Sequence, residues 1–325
     1  MLKHLMGGMA LSLAVGSACA APVGMDLQAS LEHIASDARP GTLGIIVMDP
    51  ANGKAVKVND GRSYLMMSVF KAPIAAAVLA RVDSGELKLD RMVHLEPKDI
   101  VSGSAVPSLG VRLKAGPVDV SVDELLHAAV TQSDNTAVDA LLRLLGGGAV
   151  ATRFLESKGV HGMRIDMGER ELGQRLEGLQ PGEQPPKGES DAAVDRRAQR
   201  GFEAVLASKV NSTTLDGAAS FLDKLQAGAL VSPSSTKKLL DMMTAQVIPN
   251  RIRAGLPAGF QLADKTGTAG TYHDRLGAWN DIGIVTAPNG HRMIVAIFLS
   301  DSPASAKQAN AWFAEVGRLV AASMQ

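Results

Sequence analysis

The strand-forming runs of this chain lie at its two ends. Near the start, "TLGIIVMD" and "KAVKVND" are β-rich and joined by Asn52-Gly53, a dipeptide that favours a tight hairpin. Near the end, "FQLADKTGT", "WNDIGIVTA" and "HRMIVAIFLS" repeat the pattern, the last two joined by Asn289-Gly290. Between them runs a long helix-rich middle. It includes "SVDELLHAAV", where Ser121 and Glu124 read as a capping box, and "TAVDALLRLLGGG", which ends in glycines. Leu27, Leu31, Ile34 and Ala38 set a helical period before the first strand, and "KQANAWFAEVGRLVAASM" follows the last. Strands separated by so much helix share one core when they join a single antiparallel sheet. The expected fold class is therefore α+β: a sheet completed by both termini, flanked by N- and C-terminal helices, with an inserted all-α lobe. The α/β lobe is expected at about 21–64 and 258–325, and the all-α lobe at about 65–257. A cleft between two lobes is a natural place for a site.

The first twenty residues, "MLKHLMGGMALSLAVGSACA", carry Lys3, an apolar run from Leu5 to Val15 and Ala18-Cys19-Ala20 as a cleavage site. The run is too short to span a bilayer, so no stable membrane insertion is expected. We read residues 1–20 as a signal peptide and the mature protein as exported, periplasmic or secreted. The alternative makes Cys19 a lipid-anchored first residue, but Gly16 stands where lipoprotein signals carry a bulky aliphatic. The mature chain then has no cysteine and holds together without a disulfide. Thirty-three basic residues balance thirty-three acidic ones and aromatics are 3%. Neither a cationic field nor a stacking platform for nucleic acid follows.

Segment 164–212 is charged, contains "QPGEQPPKGE" and is long for a connection. Val194, Ala198, Phe202, Val205 and Leu206 fall near helical spacing, so a short amphipathic helix is expected in its second half.

Three short stretches carry chemistry. In "SVFKAPI", Ser68 stands three residues before Lys71, and the following "KAPIAAAVLARV" is apolar enough to be a buried helix, where an unpartnered lysine is costly. At i and i+3 the hydroxyl and the amine share a face, so the amine can take the hydroxyl proton. A serine cap with a snorkelling lysine is the bland reading, and Ser234–Lys237 and Ser235–Lys238, matching the same spacing, read as a solvated helix start. "TQSDNTA", Thr131 to Ala137, reads alone as turn and cap chemistry. "ADKTGTAG", Ala263 to Gly270, reads alone as an edge strand with a protective lysine, although Gly267 would let a ligand approach the backbone.

Together, in this order and at these separations, the three stretches resemble the class A serine β-lactamases over almost the whole mature chain. That resemblance implies a five-stranded antiparallel sheet beside an all-α lobe, and hydrolysis of the β-lactam amide by a monomer without metal or cofactor. It also implies roles. Ser68 attacks the lactam carbonyl, its proton passing to Lys71 or through a water to Glu169, the first glutamate of "RIDMGERELGQ". Backbone N–H groups of Ser68 and Thr268 hold the oxyanion, and Ser133 relays a proton to the ring nitrogen. Asn135 binds the side-chain amide and steadies Lys71, while Lys265, Thr266 and Gly267 form the carboxylate-binding strand. Arg251 is the further carboxylate anchor, with Arg275 as the alternative; Glu171 is the rival to Glu169. Glu169 then activates the water that releases the acyl-enzyme.

Three departures from that family pattern stand out. Gly173 occupies the place of an asparagine that helps hold the hydrolytic water, and Met167 and Ser212 replace an arginine–aspartate pair across the loop's neck. The loop is enlarged, and a differently braced, more mobile segment is expected over 175–205. Thr268 after Lys265-Thr266-Gly267 is a hydroxyl that accompanies cephalosporin or carbapenem activity in relatives. Rival readings are a penicillin-binding D,D-peptidase, which lacks the deacylating glutamate, and a β-lactam-binding protein that stays acylated. Seven histidines make no H-x-x-x-H pair, no G-x-S-x-G surrounds a serine, and the glycines at 146–148 end a helix and do not follow a strand.

Overall fold

The computed structural model describes residues 23–324; the signal-peptide and Cys19 readings lie outside the described residues. The chain opens with helix α1 (Val23–Asp37) and strands β1 (Thr42–Met48) and β2 (Ala55–Val58). Gly53 supplies the hairpin turn with φ +70. A short strand β3 (Tyr64–Leu65) and a 3₁₀ turn (Met67–Phe70) lead into α2 (Lys71–Asp83). The helical middle then runs through β4 (Met92–Leu95), α3 (Ser108–Leu113), β5 (Val118–Ser121), α4 (Val122–Thr131), α5 (Asn135–Leu145) and α6 (Gly148–Ser157). Next come α7 (Glu169–Leu176), α8 (Asp191–Ala207), β6 (Ser212–Thr213), α9 (Leu215–Gln226) and α10 (Pro233–Thr244). The chain closes with β7 (Gln261–Tyr272), β8 (Arg275–Thr286), β9 (Arg292–Ser302) and α11 (Ala306–Ser323).

Five strands form one sheet in the order β2-β1-β9-β8-β7, every pairing antiparallel. The first and last strands of the chain meet at its centre, with Thr42 opposite Ser300 and Met48 opposite Ile294. Period-2 alternation splits β1 and β9 between two cores. Leu43, Ile45, Val47, Val295, Ile297 and Leu299 pack with Leu31 of α1 and Phe313 of α11. Ile46, Ile294, Ala296 and Phe298 face the other way, into the larger core shared with α2, α4, α5 and α9. Helix α2 is buried without a break from Lys71 to Leu79. That burial forces every polar group on it to find a partner inside the protein.

Caps follow the sequence in most places. Ser121 Oγ accepts from Glu124 N at 3.1 Å, but the Glu124 carboxylate turns to Arg112, so only half of the expected capping box forms. Gly146 ends α5 in the left-handed conformation, φ +87. The serine–lysine repeats near 235 do start a helix, yet they are not simply solvated: Ser235 is buried and donates to Asp83 at 2.6 Å.

The long segment folds into α7 and α8. The second helix runs from Asp191 to Ala207, longer than the short helix expected, and Gly201, Phe202 and Val205 are its buried residues while Val194 stays exposed. The two helices meet at bare backbone. A Cβ on Gly201 would overlap Gly178 N and lie 2.5 Å from Arg175 O. Gly201→Ala is therefore expected to push α8 off α7 at a cost of about 1–3 kcal/mol. A lower melting temperature with faster amide exchange confined to 191–207 is the result to look for; an unchanged exchange pattern would contradict the close packing.

Candidate active site

Met67 holds φ +46, a left-handed conformation that is uncommon for a non-glycine residue and that turns the chain sharply just before Ser68. Ser68 stands in the 3₁₀ turn and Lys71 begins α2. In a 3₁₀ turn residues i and i+3 eclipse, so the pair meets although the two are not on one regular helix. Lys71 Nζ lies 2.7 Å from Ser68 Oγ. The amine is fully buried, and it also donates to Ser133 O at 3.0 Å, Ser133 Oγ at 3.2 Å and Asn135 Oδ1 at 2.6 Å.

Those acceptors come from the turn between α4 and α5. Ser133 has φ +57, which points its carbonyl and hydroxyl at the same amine. Asp134 caps α5, accepting from Ala137 N at 3.0 Å, and it ties in the preceding segment through Leu109 N at 3.0 Å. Asn135 is locked from behind by donating Nδ2 to Ser102 O at 2.6 Å.

Glu169 is the first residue of α7 and only 7% exposed. Its Oε1 accepts from Ser68 Oγ at 2.9 Å and sits 2.9 Å from Lys71 Nζ. Ser68 and Glu169 are therefore in direct hydrogen-bond contact. Its rival Glu171 is half-buried and pairs with Arg175 at 3.3 Å.

Asp139 places Glu169 where it is. Its two carboxylate oxygens accept from Glu169 N at 2.7 Å and Arg170 N at 3.0 Å, capping α7 from a neighbouring helix. A Cβ on Gly168 would overlap that carboxylate. Burial pushes the Asp139 carboxyl up, against the two backbone donors that favour its charge. None of the three motif stretches contains it. The available signal was its position, one helical turn after Asn135 on the face turned to the site.

Strand β7 forms the opposite wall. Lys265, 1% exposed, donates to Ser133 Oγ at 3.0 Å, and burial, followed by the charge of Lys71, pushes its pKa down to about 7. Gly267 has no room for a side chain, since its Cβ would overlap Met66 O. This clearance lets β7 lie against the Ser68 turn. Asn280 on β8 fastens the contact, donating Nδ2 to Leu65 O at 2.8 Å and Met66 O at 3.1 Å; it too went unrecognised in the sequence.

Arg251 is 2% exposed and lies behind β7, donating to Gly267 O at 2.8 Å, to Asn280 O and to Thr268 Oγ1, with its guanidinium 4.2 Å from the Trp279 ring centroid. It reaches the cleft through the Thr268 hydroxyl. Arg275 is 2.7 Å from Asp301 on β9. Ser68, Ser133, Asn135, Glu169, Thr266, Gly267 and Thr268 all line one cleft of about 590 Å³. A larger hollow of about 880 Å³ between α1 and β2 holds none of the motif residues.

A family model described as the beta-lactamase enzyme family matches residues 26–324. The chain belongs to the β-lactamase enzyme family. A β-lactamase from Chitinophaga pinensis shares its fold with a TM-score of 0.77 and 28% identity, over 92% of this chain and 100% of that one. The class A β-lactamase of the last common ancestor of Gram-negative bacteria reaches a TM-score of 0.74 at 34% identity, over 92% and 99%. A second structure of an ancestral class A enzyme reaches 0.73 at 34% identity, over 90% and 98%. The α+β fold with its five-stranded sheet is that of the class A enzymes.

This β-lactamase closes the neck of its loop with one asparagine. Asn211, at φ +40, accepts through Oδ1 from Asp166 N at 2.7 Å and Met167 N at 3.1 Å, and returns Nδ2 to Met167 O at 3.0 Å. Its carbonyl also accepts from Met66 N at 2.8 Å, so the neck and the approach to Ser68 share one clamp. Gly173 lines the cleft with open space beside it, where a Cβ would meet nothing within 4 Å.

Proposed function

We propose that this protein is an exported serine β-lactamase, working as a monomer, that opens the β-lactam amide through an acyl-enzyme on Ser68 and releases it with the help of Glu169. The observation that carries this reading is the shared contact of Ser68 Oγ with Lys71 Nζ at 2.7 Å and Glu169 Oε1 at 2.9 Å. Two proton acceptors within reach of one hydroxyl suit attack on a carbonyl. As the tetrahedral intermediate forms, backbone N–H groups of Ser68 and Thr268 stabilise its oxyanion, with Gly267 keeping the two backbones close enough to share it. Ser133 Oγ, bridging Lys71 at 3.2 Å and Lys265 at 3.0 Å, delivers the proton to the departing ring nitrogen. Lys265, Thr266 and Thr268 take the substrate carboxylate, and Arg251 supports that end through its bond to Thr268. In deacylation Glu169 accepts a proton from water, and the space beside Gly173 is where that water approaches the ester. Export rests on the sequence of residues 1–20; no helix among the described residues is long and apolar enough to cross a membrane.

The test is stopped-flow hydrolysis of a chromogenic cephalosporin by the mature protein, with intact mass recorded during the reaction. Steady turnover with a transient adduct on Ser68 is expected. A single burst followed by a lasting adduct would assign the protein to β-lactam binding instead.

The Lys265 pKa of about 7 leads to a second expectation. A carboxylate is held best by the ammonium form, which is lost as pH rises through the folded-state value. Because kcat/KM reports the free enzyme, it is expected to fall on the alkaline side from about pH 7, with kcat less affected once substrate is bound. Lys265→Arg, whose charge does not titrate in this range, should remove that limb. A limb that survives the substitution would belong to another group.

A further inference from the structure

We infer that the inserted helix α8 gives the cleft a distal aromatic subsite, and that it takes β-lactams whose acyl side chain ends in a planar aromatic ring. This rests on the β-lactamase reading above. The cleft that begins at Ser68 does not stop at Glu169; it continues along α7 past Leu176 and ends against Phe202 of α8 and Tyr272 at the end of β7. Phe202 is held in place from several directions. Its ring lies where a Cβ on Gly277 of β8 would come within 2.7 Å, and its centroid is 5.5 Å from that of Tyr272. Asp195, nearly two turns earlier on α8, accepts from Tyr272 Oη through its carbonyl at 2.7 Å and its Oδ1 at 2.8 Å, and Oδ1 is 2.8 Å from His273 Nε2. The helix is therefore clasped to the β7–β8 hairpin, and the cleft ends on half-buried Tyr272 and on the edge of Phe202, which is 4% exposed.

The passage between Ser68 and that end is kept open by glycine on both walls. Gly173 on α7 and Gly270 on β7 each line the cleft, and a Cβ on either would meet nothing within 4 Å. Neither has a left-handed φ, so the backbone does not require glycine at these places. What glycine supplies there is clearance. A ring on the acyl side chain can pass between them and rest against Phe202, Tyr272 and Leu176, where planar apolar groups pack favourably.

The test compares two cephalosporins with the same nucleus, 7-aminocephalosporanic acid itself and its naphthylacetyl amide, in the wild-type protein, Gly270→Leu and Phe202→Leu. Gly270→Leu fills the passage without backbone strain and is expected to lower kcat/KM for the naphthylacetyl compound by about tenfold or more. The bare nucleus should change by less than about threefold. Phe202→Leu keeps apolar bulk for folding and should lower the same ratio by a smaller factor. A ratio that stays constant in both variants, or an equal loss on both substrates, overturns the subsite. Wild type that is acylated by neither compound removes the β-lactamase reading itself, and with it the subsite. That outcome is distinct from variants that turn over both compounds in an unchanged ratio.

Discussion

Glu169→Ala is expected to lower turnover by about 10²–10⁴ and to leave a persistent acyl adduct on Ser68. The carboxylate is the group that contacts both Ser68 Oγ and Lys71 Nζ, at 2.9 Å each, so its loss removes a base from acylation and the base from deacylation. Acylation keeps an alternative in Lys71, which stays 2.7 Å from the hydroxyl and remains solvated by Ser133 and Asn135. Deacylation keeps none, which is why the adduct should accumulate. Intact mass during a stopped-flow experiment distinguishes the two steps, and full turnover by the variant would remove Glu169 from the mechanism. Asp139→Ala is a milder version of the same loss. It keeps the Glu169 carboxylate but removes the acceptors that cap and position the start of α7, and should slow deacylation more than acylation.

Lys71→Met carries the second large effect, on stability as well as rate. The amine is fully buried and answers several oxygens at once, and without it Glu169, only 7% exposed, loses its counter-charge. Breaking one partner of a buried ion pair costs about 3–5 kcal/mol. For a chain of this size that is a fall in melting temperature on the order of 10 °C. Adduct formation with a chromogenic cephalosporin should slow by about 10²–10⁴ as well. Adding Glu169→Leu to Lys71→Met should recover much of the stability and none of the activity, because the stranded charge is gone while the proton acceptors are too. If the double variant is no more stable than the single one, the ion pair is not what the lysine supports.

Much of this could be read from the chain because its signals are local. Asn52-Gly53 and Asn289-Gly290 both turn hairpins, and Ser68, Ser133, Asn135 and Lys265 meet around Lys71 as their motifs imply. The residues that escaped notice, Asp139, Asn211 and Asn280, share one property. Each satisfies backbone groups delivered by a distant segment: the start of α7, the neck at 166–167, and the residues before Ser68. A side chain paired with backbone leaves no complementary residue to search for, so only the fold reveals it. The capping box at Ser121 failed for a related reason. Glu124 found Arg112 on α3, a partner no local pattern anticipates. In α8 the spacing of Phe202 and Val205 marked the buried face, but the helix length was hidden because its other faces are polar and exposed.

The pairing of β1 with β9 joins residues from opposite ends of the chain, Thr42 with Ser300. The central strand of the sheet is therefore also, among the described residues, the last strand in chain order. Until Arg292–Ser302 is available, the amino-terminal hairpin has no neighbour on its inner edge, and the two-stranded remainder is marginal in water. Loop closure of this span is slow and has to precede the contacts that reward it. The five-stranded sheet consequently cannot close around its amino-terminal hairpin until β9 has been synthesised.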